Sequence, residues 1–373
     1  MLVVTDDPRA YYEARDGVFA PRPFPRWSFL LHRTIRRLAD RRLAWHEIPA
    51  PERPQFHCAF DAGMAFRVLF CAVKESVDVL HAEKLGYAYP CLPARRLRGL
   101  FTILVEHDVE SQRLADTCAI TPRARGFMER FERGACRRVD AVVTVSGEDR
   151  QRLVGLGVSE GKIHVIPHGV DTEQFRRGRG ERIRKMFGLE GAAVGVFHGT
   201  GSYRPNREAI DSLVGEVVPA ALGRGMDLKM LILGDSRPPG APSPRVIFTG
   251  AVEERELADY IAAADVALLP IRTGGGTRVK ILEYFAAGVP VVSTAKGAEG
   301  LGVEDGTHLL LAETPGEMAV AAAHLAGDSV LRARIVGNSR EFARGRDWGA
   351  IALRYVELYA RGIGETRRGR RGA

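Results

Sequence analysis

The sequence lacks the features that mark several common classes of protein. No run approaches the roughly 18–20 uninterrupted apolar residues of a membrane-spanning helix, and the first residues have neither the basic flank nor the apolar core of a signal peptide. The 5 cysteines are scattered, odd in number and in no CxxC pair, which argues against a disulfide framework or a structural zinc site. We therefore expect a globular cytoplasmic protein whose cysteines are small buried residues.

Acidic residues are also in deficit. There are 46 Asp and Glu against 54 Lys and Arg, a net charge of +8, which predicts an anionic partner: nucleic acid, acidic lipid headgroups or a nucleotide diphosphate. No zinc-finger spacing and no aromatic RNA-binding strand occurs, so we expect no nucleic-acid partner. No Ser/His/Asp or HExxH arrangement is present, and the adjacent Asp6 and Asp7 are typical of a turn. We expect no metal and no cofactor.

The sequence does have a regular alternation of short apolar, β-branched runs with helical patterns. Such runs predict buried parallel strands in βαβ units, and 373 residues are too many for one ordinary core. The fold class we predict is α/β, with two Rossmann-like domains whose parallel sheets face each other across a cleft. The predicted strands are residues 2–5, 43–48, 77–83, 101–106, 141–146 and 162–167 in the first half, and 193–198, 228–233, 245–249, 266–271, 290–294 and 308–312 in the second.

The joint between the halves is predicted within VIPHGVDTEQF, where Pro167, Gly169 and Asp171 follow a strand that leads to no obvious helix. This gives an N-terminal acceptor-binding domain, a C-terminal nucleotide-sugar-binding domain, a helix that crosses back to the first domain, and a disordered basic tail. The acceptor-binding domain is predicted over residues 1–167 and the nucleotide-sugar-binding domain over residues 168–346. The crossing helix is predicted over residues 347–362 and the tail over residues 363–373.

The predicted strands of the second half are followed by glycine-rich or polar turns. These turns would share one rim, because ligands bind beyond the carboxyl ends of parallel strands. The strongest segment is LLPIRTGGGTRVKILEYFAAGVPVVST, in which three glycines precede a helix predicted to begin near Thr277. The unpartnered amides of a helix N-terminus suit a phosphate, and Arg278 and Lys280 add two cations in that turn. Glu283, on the same helix, is either a ligand of ribose hydroxyls or an ordinary exposed glutamate.

Several motifs occur in an order that resembles family 4 glycosyltransferases. They are VVTVSGEDRQRL, GKIHVIPHGVDTEQF, LKMLILGD, VIFTGAVEERELADYIAAADVALLPI and GGGTRVKILEYFAAGVPVVSTAKGAEGL, spread over residues 141–359. The resemblance implies a GT-B fold, transfer with retention of anomeric configuration, and a Glu-x7-Glu pair that contacts the donor sugar and ribose. Glu283 matches the second glutamate and Gly275 occupies the place of the first, as in a similar variant group with GxGTRxKxLE.

The same resemblance implies further donor contacts. Because the family's first glutamate is absent, backbone groups of Gly275, Gly276 and Thr277 would have to contact the sugar. The Arg and Lys that the family usually carries after the first strand of this domain are not cleanly matched, so we expect Arg278 and Lys280 to contact the diphosphate instead. The loop GTGSYRPNREAI, which begins at Gly199, is similar to a variant with Asn after Pro, and Arg204 is its nearest cation.

In the first half, FTILVEHDVES ends a predicted strand with His107, Asp108 and Glu110. A lone strand-end histidine is often structural, but the segment resembles the family's EHxxE element, whose histidine lies beside the donor sugar and diphosphate. The resemblance thus implies that His107 positions the reacting sugar or bonds one of its hydroxyls. Transfer by front-face attack needs no protein nucleophile, so catalysis would come from orientation and from support of the leaving diphosphate.

A basic helix is predicted over residues 26–43, with Trp27, Leu30, Leu31, Thr34 and Leu38 on one face. It is either packed on its own sheet or an amphipathic surface for anionic membrane. LPARRLRGL and the tail arginines, Arg367, Arg368, Arg370 and Arg371, favour peripheral docking at the inner face of the membrane.

The combined expectation is a retaining transferase that moves a sugar from a nucleotide-diphosphate sugar to a glycan or lipid-linked acceptor, in cell-surface polysaccharide or glycoconjugate synthesis. The alternatives are a non-catalytic nucleotide-sugar-binding protein and a sugar-nucleotide epimerase of the same fold. The sugar, the base and the acceptor stay open.

Overall fold

The computed structural model describes residues 1–5, 10–15, 18–24, 32–235 and 244–371. It divides into two compact units, Met1–Ile166 with Leu353–Ala373 and Pro167–Ala352. This division lies one residue from the joint predicted between residues 167 and 168.

The first unit contains a small antiparallel sheet and a larger parallel one. Strands β1 (Leu2–Val4), β2 (Ala10–Arg15) and β3 (Val18–Pro23) form the antiparallel sheet. The parallel sheet has the order β4-β5-β6-β7. Its strands are β4 (Val79–Glu83), β5 (Phe101–Glu106), β6 (Ala141–Thr144) and β7 (Ile163–Val165). All six residues of β5 are buried, as expected for a central strand covered on both faces.

The helices of this unit connect and cover the parallel strands. They are α1 (His32–Trp45), α2 (Ala62–Lys74), α3 (Leu85–Arg98), α4 (Glu110–Cys118), α5 (Pro122–Arg138) and α6 (Gly147–Gly155), with 3₁₀ segments at Ala50–Phe60 and Glu160–Lys162. Thr121 caps α5 by accepting the amide of Ala124, and Pro122 occupies the first helical position, where no amide donor is needed.

Two expectations for the first half are wrong. Residues 43–48 are no strand, because Leu43 is buried with Ala39 one turn earlier on α1, which is helical spacing. Residues 2–5 belong to the antiparallel sheet and not to the parallel one. Leu38, which was predicted on the apolar face of its helix, is 59% exposed.

Several residues singled out in the sequence lie outside the described residues: Asp6, Asp7, Trp27, Leu30 and Leu31. The same holds for the side chains of Arg33, Arg370 and Arg371.

The second unit contains one six-stranded parallel sheet with the order β10-β9-β8-β11-β12-β13. Its strands are β8 (Ala193–His198), β9 (Leu228–Leu233), β10 (Val246–Gly250), β11 (Val266–Leu269), β12 (Val291–Ser293) and β13 (Leu310–Leu311). The strand order reverses between β8 and β11. A crevice forms outside the carboxyl ends at such a switch point.

Helices precede the first strand and separate the others, as the alternation predicted, except that the described residues between β9 and β10 contain no helix. They are α7 (Thr172–Arg176), α8 (Glu181–Met186), α9 (Arg204–Ser212), α10 (Val218–Leu222), α11 (Glu254–Ala262), α12 (Val279–Ala287), α13 (Ala295–Ala298), α14 (Pro315–Gly327) and α15 (Ser329–Arg344). A π-helical segment, Leu213–Val217, joins α9 to α10. Helix α12 ends at Gly288, whose φ of +77° is the left-handed conformation that favours glycine at a helix C-terminus.

The last helix, α16, runs from Trp348 to Arg371. The predicted disorder from residue 363 therefore differs from the structure, which continues the helix almost to the C-terminus. Gly362 packs against the ring of Phe101, where a Cβ would collide with the aromatic carbons. Arg367 pairs with Asp78 at 3.1 Å. These contacts give the helix a packed face that a basic tail in solution would not have.

Candidate functional site

The switch point of the six-stranded sheet gathers the residues that the sequence singled out in the second half. His198 ends β8, and Gly199 follows it. A Cβ on Gly199 would lie 2.6 Å from Nδ2 of Asn206 and 2.9 Å from Nζ of Lys280. Only glycine allows the two side chains to come this close to the backbone after β8. The loop after β8 and the start of α12 are thus brought together.

Lys280 projects from the first turn of α12 into this crevice. Its Nζ donates to the carbonyl oxygen of His198 at 2.6 Å and to Oδ1 of Asn206 at 2.9 Å, and it lies 4.2 Å from the centre of the Phe197 ring. Burial lowers the pKa of the Lys280 ammonium to about 7, and the charge of Arg278 adds to this, while Glu283 opposes it. Lys280 is therefore a lysine whose charge depends on what else occupies the site.

Asn206 is oriented by a second hydrogen bond. Its Nδ2 donates to the carbonyl oxygen of Thr200 at 2.9 Å, so Oδ1 is the atom left to face Lys280. Only 7% of Asn206 is exposed. The amide of Gly201 and the hydroxyl of Thr200 donate in turn to Asp235, which follows β9, at 2.8 and 3.2 Å. These bonds hold the loop after β8 against the end of β9.

Glu283 lies one turn further along α12 and is not an ordinary exposed glutamate. Its Oε2 is 2.7 Å from Nε2 of His198, and 20% of its side chain is exposed. Burial lowers the pKa of His198, and the Glu283 carboxylate opposes that change. The backbone amide of His198 donates to the hydroxyl of Tyr284 at 3.0 Å. The carboxylate is thus held at the carboxyl end of β8, beside Lys280.

The glycine loop lies between β11 and α12. Gly274 has a φ of +100°, and a Cβ there would lie 2.6 Å from the hydroxyl of Tyr203. Helix α12 begins at Val279, two residues later than predicted, and no side chain caps its amides. The hydroxyl of Thr277 is buried without a hydrogen-bond partner. Polar backbone and side-chain groups therefore converge where the helix begins.

Arg278 bonds the carbonyl groups of the glycine loop that precedes it. It is 8% exposed, and its Nη1 and Nη2 donate to carbonyl oxygens of the loop: those of Gly275, Gly276 at 2.8 Å and Thr273 at 3.1 Å. These bonds use three of the five guanidinium N–H groups to hold the loop together, and the contact of Arg278 with a diphosphate stays a prediction. Of the two predicted cations, Lys280 is the one at the crevice.

Arg204 begins α9, and its Nε donates to Glu208 at 2.6 Å. Glu208 also accepts from the hydroxyl of Thr273 at 2.9 Å. Arg204 is half exposed, with 48% of its side chain in contact with solvent, so it lies at the rim beside an acidic partner.

In the first unit, His107 follows β5 and lines a polar pocket of about 190 Å³. The other residues of the pocket are Gln55, Lys84, Glu106, Asp108, Glu110 and Arg113. Nε2 of His107 lies 2.7 Å from Oε2 of Glu83. Burial raises the pKa of Glu106 well above its usual range, and the neighbouring Glu132 and Glu110 raise it further. The pocket thus combines a carboxyl group of raised pKa with charged side chains.

Sequence reasoning missed His198 and Tyr284 in the second unit and Glu83 in the first. His198 ends a predicted strand within the motif FHGTGSYRPN, so its place was a usable signal, and Asn206 of the same motif was noted only as the Asn after Pro. Glu83 ends a predicted strand, and no local motif distinguishes it from a solvated glutamate.

The described residues also bear on metal sites and membrane spans. Across those ranges, no group of three or more His, Cys, Asp or Glu could hold a metal ion. No single helix in the described part of the chain is long and apolar enough to cross a membrane, although one bent pair, Ala50–Phe60 with Ala62–Lys74, meets the length and composition.

Comparison with known proteins connects the two halves to one class. The model of "Glycosyltransferase Family 4" matches residues 2–174, and that of "Glycosyl transferases group 1" matches residues 194–328. The GT-B architecture is shared with HepE of Anabaena, solved in complex with UDP-glucose, at a TM-score of 0.63 and 18% identity over 79% of this chain and 81% of that one. Fold and family models together define the class as GT-B glycosyltransferases.

Curated relatives agree with this class. The D-inositol 3-phosphate glycosyltransferase 2 of Catenulispora acidiphila is 27% identical over 61% of this chain and 57% of the relative, so the chain spans little more than half of that protein. A GDP-mannose-dependent alpha-mannosyltransferase of Mycobacterium tuberculosis is 26% identical over 87% of this chain and 82% of the relative. The chain belongs to glycosyltransferase family 4.

Proposed function

We propose that this chain transfers a hexosyl group from a nucleoside diphosphate sugar to an acceptor, with retention of configuration. The observation that carries the proposal is the juxtaposition at the switch point of an uncapped helix N-terminus, a buried lysine and a half-buried carboxylate. Amides and a cation suit a diphosphate, and a carboxylate suits the two hydroxyls of a ribose. The UDP-glucose complex of HepE supports the choice of donor class.

Lys280 would hold the diphosphate together with the first amides of α12. The phosphate charge would restore the ammonium that burial weakens. As the glycosidic bond breaks, negative charge grows on the leaving diphosphate, and the fixed amides and the ammonium would stabilise it more than they stabilise the bound donor. Backbone groups of Gly275, Gly276 and Thr277 would contact the sugar, and the unpartnered hydroxyl of Thr277 is a further donor for it.

Glu283 would bind the ribose and remain close to His198. Arg204 is a weaker candidate for a contact with the donor, because Glu208 already compensates its charge.

His107 would orient the reacting sugar or bond one of its hydroxyls. No protein nucleophile is required, because the leaving diphosphate takes the proton of the acceptor hydroxyl during front-face attack.

We extend the proposal to a lipid-linked acceptor, and the surface of helix α5 supports this choice. Exposed Arg130, Arg133, Arg137 and Arg138 line a depression of about 430 Å³ on this helix. Within the described ranges, none of these four guanidinium groups forms an ion pair with a carboxylate. Trp45, which is 70% exposed, lies under Arg123 at the start of the same helix. Arginines beside an exposed tryptophan suit the surface of an anionic membrane.

The experiment is a transfer assay with UDP- and GDP-sugars, with nucleoside diphosphate release measured with and without lipid-linked and glycan acceptors. Release that depends on the acceptor supports transfer. Donor binding without release would point to a nucleotide-sugar-binding protein, and conversion of the sugar without an acceptor to an epimerase. Flotation with vesicles of phosphatidylglycerol and of phosphatidylcholine tests the membrane surface, and equal or absent binding to both would contradict it.

A further inference from the structure

The carboxylate of Glu83 lies between two histidines. Oε2 is 2.7 Å from Nε2 of His107, and Oε1 is 2.7 Å from Nε2 of His81. The sheet register explains the arrangement. Glu83 pairs with Val105 on the neighbouring strand, and His107 is two residues further, while His81 is two residues before Glu83 on its own strand. Residues two apart on a strand share a face, so three titratable side chains meet on one side of the sheet.

The arrangement extends to the last helix. Nδ1 of His81 lies 2.5 Å from the hydroxyl of Tyr359, and the His81 ring stacks on Tyr355 with 5.6 Å between ring centres. Tyr355 and Tyr359 are four residues apart on α16 and therefore share a helix face. His81 is thus held by two side chains of the helix as well as by Glu83.

The chemistry of the groups assigns the direction of each hydrogen bond. Burial raises the pKa of Glu83, but the hydrogen bonds and charges of His107 and His81 outweigh it and hold the pKa well below its usual range. Glu83 is therefore ionised and can only accept, so Nε2 of each histidine carries a proton and donates. With a single proton on Nε2, His81 accepts the hydroxyl proton of Tyr359 at Nδ1, and as an imidazolium it donates to that hydroxyl.

We propose that Glu83 is a positioning residue for His107. By accepting from Nε2, it fixes the tautomer and the ring orientation of His107, so that Nδ1 is the nitrogen that exchanges a proton or a hydrogen bond. His81 and Tyr359 hold the carboxylate in place from the other side. The catalytic consequence rests on the function proposed above for His107, whereas the tautomer assignment does not.

The first test compares Glu83→Gln with Glu129→Gln in the full chain. Glu129 is a surface carboxylate paired with Arg125 on α5, so it controls for the loss of one charge from this unit. We expect Glu83→Gln to lower kcat on the order of tenfold or more, with donor KM and melting temperature close to those of the unmodified chain. Glu83→Asp should recover part of the loss. An unchanged kcat, or a loss of donor affinity equal to the loss of turnover, would contradict the proposal.

The second test needs no activity, so it separates this inference from the proposed function. Long-range proton–nitrogen spectra of histidine-labelled protein report which ring nitrogen carries the proton, and the His107 signals are assigned by their loss in His107→Gln. We expect Nε2–H in the unmodified chain and in Glu129→Gln, and a mixture of tautomers in Glu83→Gln. If His107 carries its proton on Nδ1, or if Glu83→Gln leaves the tautomer unchanged, Glu83 does not position the ring.

Discussion

The two units hold their candidate functional residues in different ways. At the switch point of the second unit, one lysine is held by a carbonyl oxygen and an amide side chain, and no carboxylate among the described residues is in direct contact with it. Around His107 in the first unit, charged side chains pair with one another and remain partly exposed. Ligand charge should therefore affect the second unit most, because a buried group gains most from a new counter-charge. Solvent and salt screen the partly exposed charges of the first unit.

The largest expected effect is that of Lys280→Met. The change keeps an unbranched side chain as far as the ε position and removes the ammonium group proposed for the diphosphate, so we expect kcat/KM for transfer to fall about 100-fold or more. The control is Lys185→Met, an exposed lysine on α8 in the same unit. Steady-state kinetics at saturating acceptor measure both. Equal activity of the two variants would contradict the expectation that the buried Lys280 interacts with the charge of the ligand.

Glu283→Ala comes next and tests the ribose assignment. A hydrogen bond to a charged group contributes about 1.5–3 kcal/mol, so we expect the affinity for the nucleoside diphosphate to fall about tenfold to 100-fold. Calorimetric titration measures it, with the exposed Glu190→Ala as control. A titration that matches the unmodified chain would show that Glu283 does not contact the bound nucleotide.

The smallest effect is a dependence of donor binding on pH. The pKa of Lys280 is about 7 in the empty site, and a bound diphosphate raises it. Binding therefore takes up a proton above pH 7, and affinity falls as the pH rises from 7, by at most about tenfold for each pH unit. Titrations in buffers of different ionisation enthalpy measure the proton uptake.

Asn206→Asp sharpens the same comparison, because it gives the buried lysine a carboxylate partner of the kind found in the first unit. The new charge raises the pKa of Lys280, so we expect the fall in affinity to move to higher pH and proton uptake near neutral pH to disappear. Proton uptake that is the same in this variant and in Lys280→Met as in the unmodified chain would show that another group titrates.

The second unit was more predictable than the first because its strands are short, uninterrupted apolar runs. Ala193–His198 and Leu228–Leu233 have the bounds that the pattern predicted. The periodicity of residues 43–48 was misread, since a short apolar run at the end of a helix resembles a strand. The pattern also gave no sign that β1 would pair with β2 and β3, because pairing partners depend on contacts distant in sequence.

The site was predictable only where local sequence determines it. The glycine run and the position of Lys280 at the start of a helix follow from the segment itself. The partners of Arg278 do not, because an arginine beside a glycine loop can bond its carbonyls or an outside anion, and only three-dimensional contacts decide. The same holds for Glu83, whose histidine partner comes from a neighbouring strand.

Gly288 has a consequence for how variation is tolerated. Its positive φ already disfavours other residues, and a Cβ there would collide with the guanidinium of Arg340 on α15. A side chain at this position would therefore have to adopt the left-handed conformation and push the Arg340 guanidinium aside at the end of α12, the helix that bears Lys280 and Glu283. In a library of random variants, we expect Gly288 to tolerate fewer residues than the neighbouring Ala287, although it lies at the opposite end of the helix from Lys280.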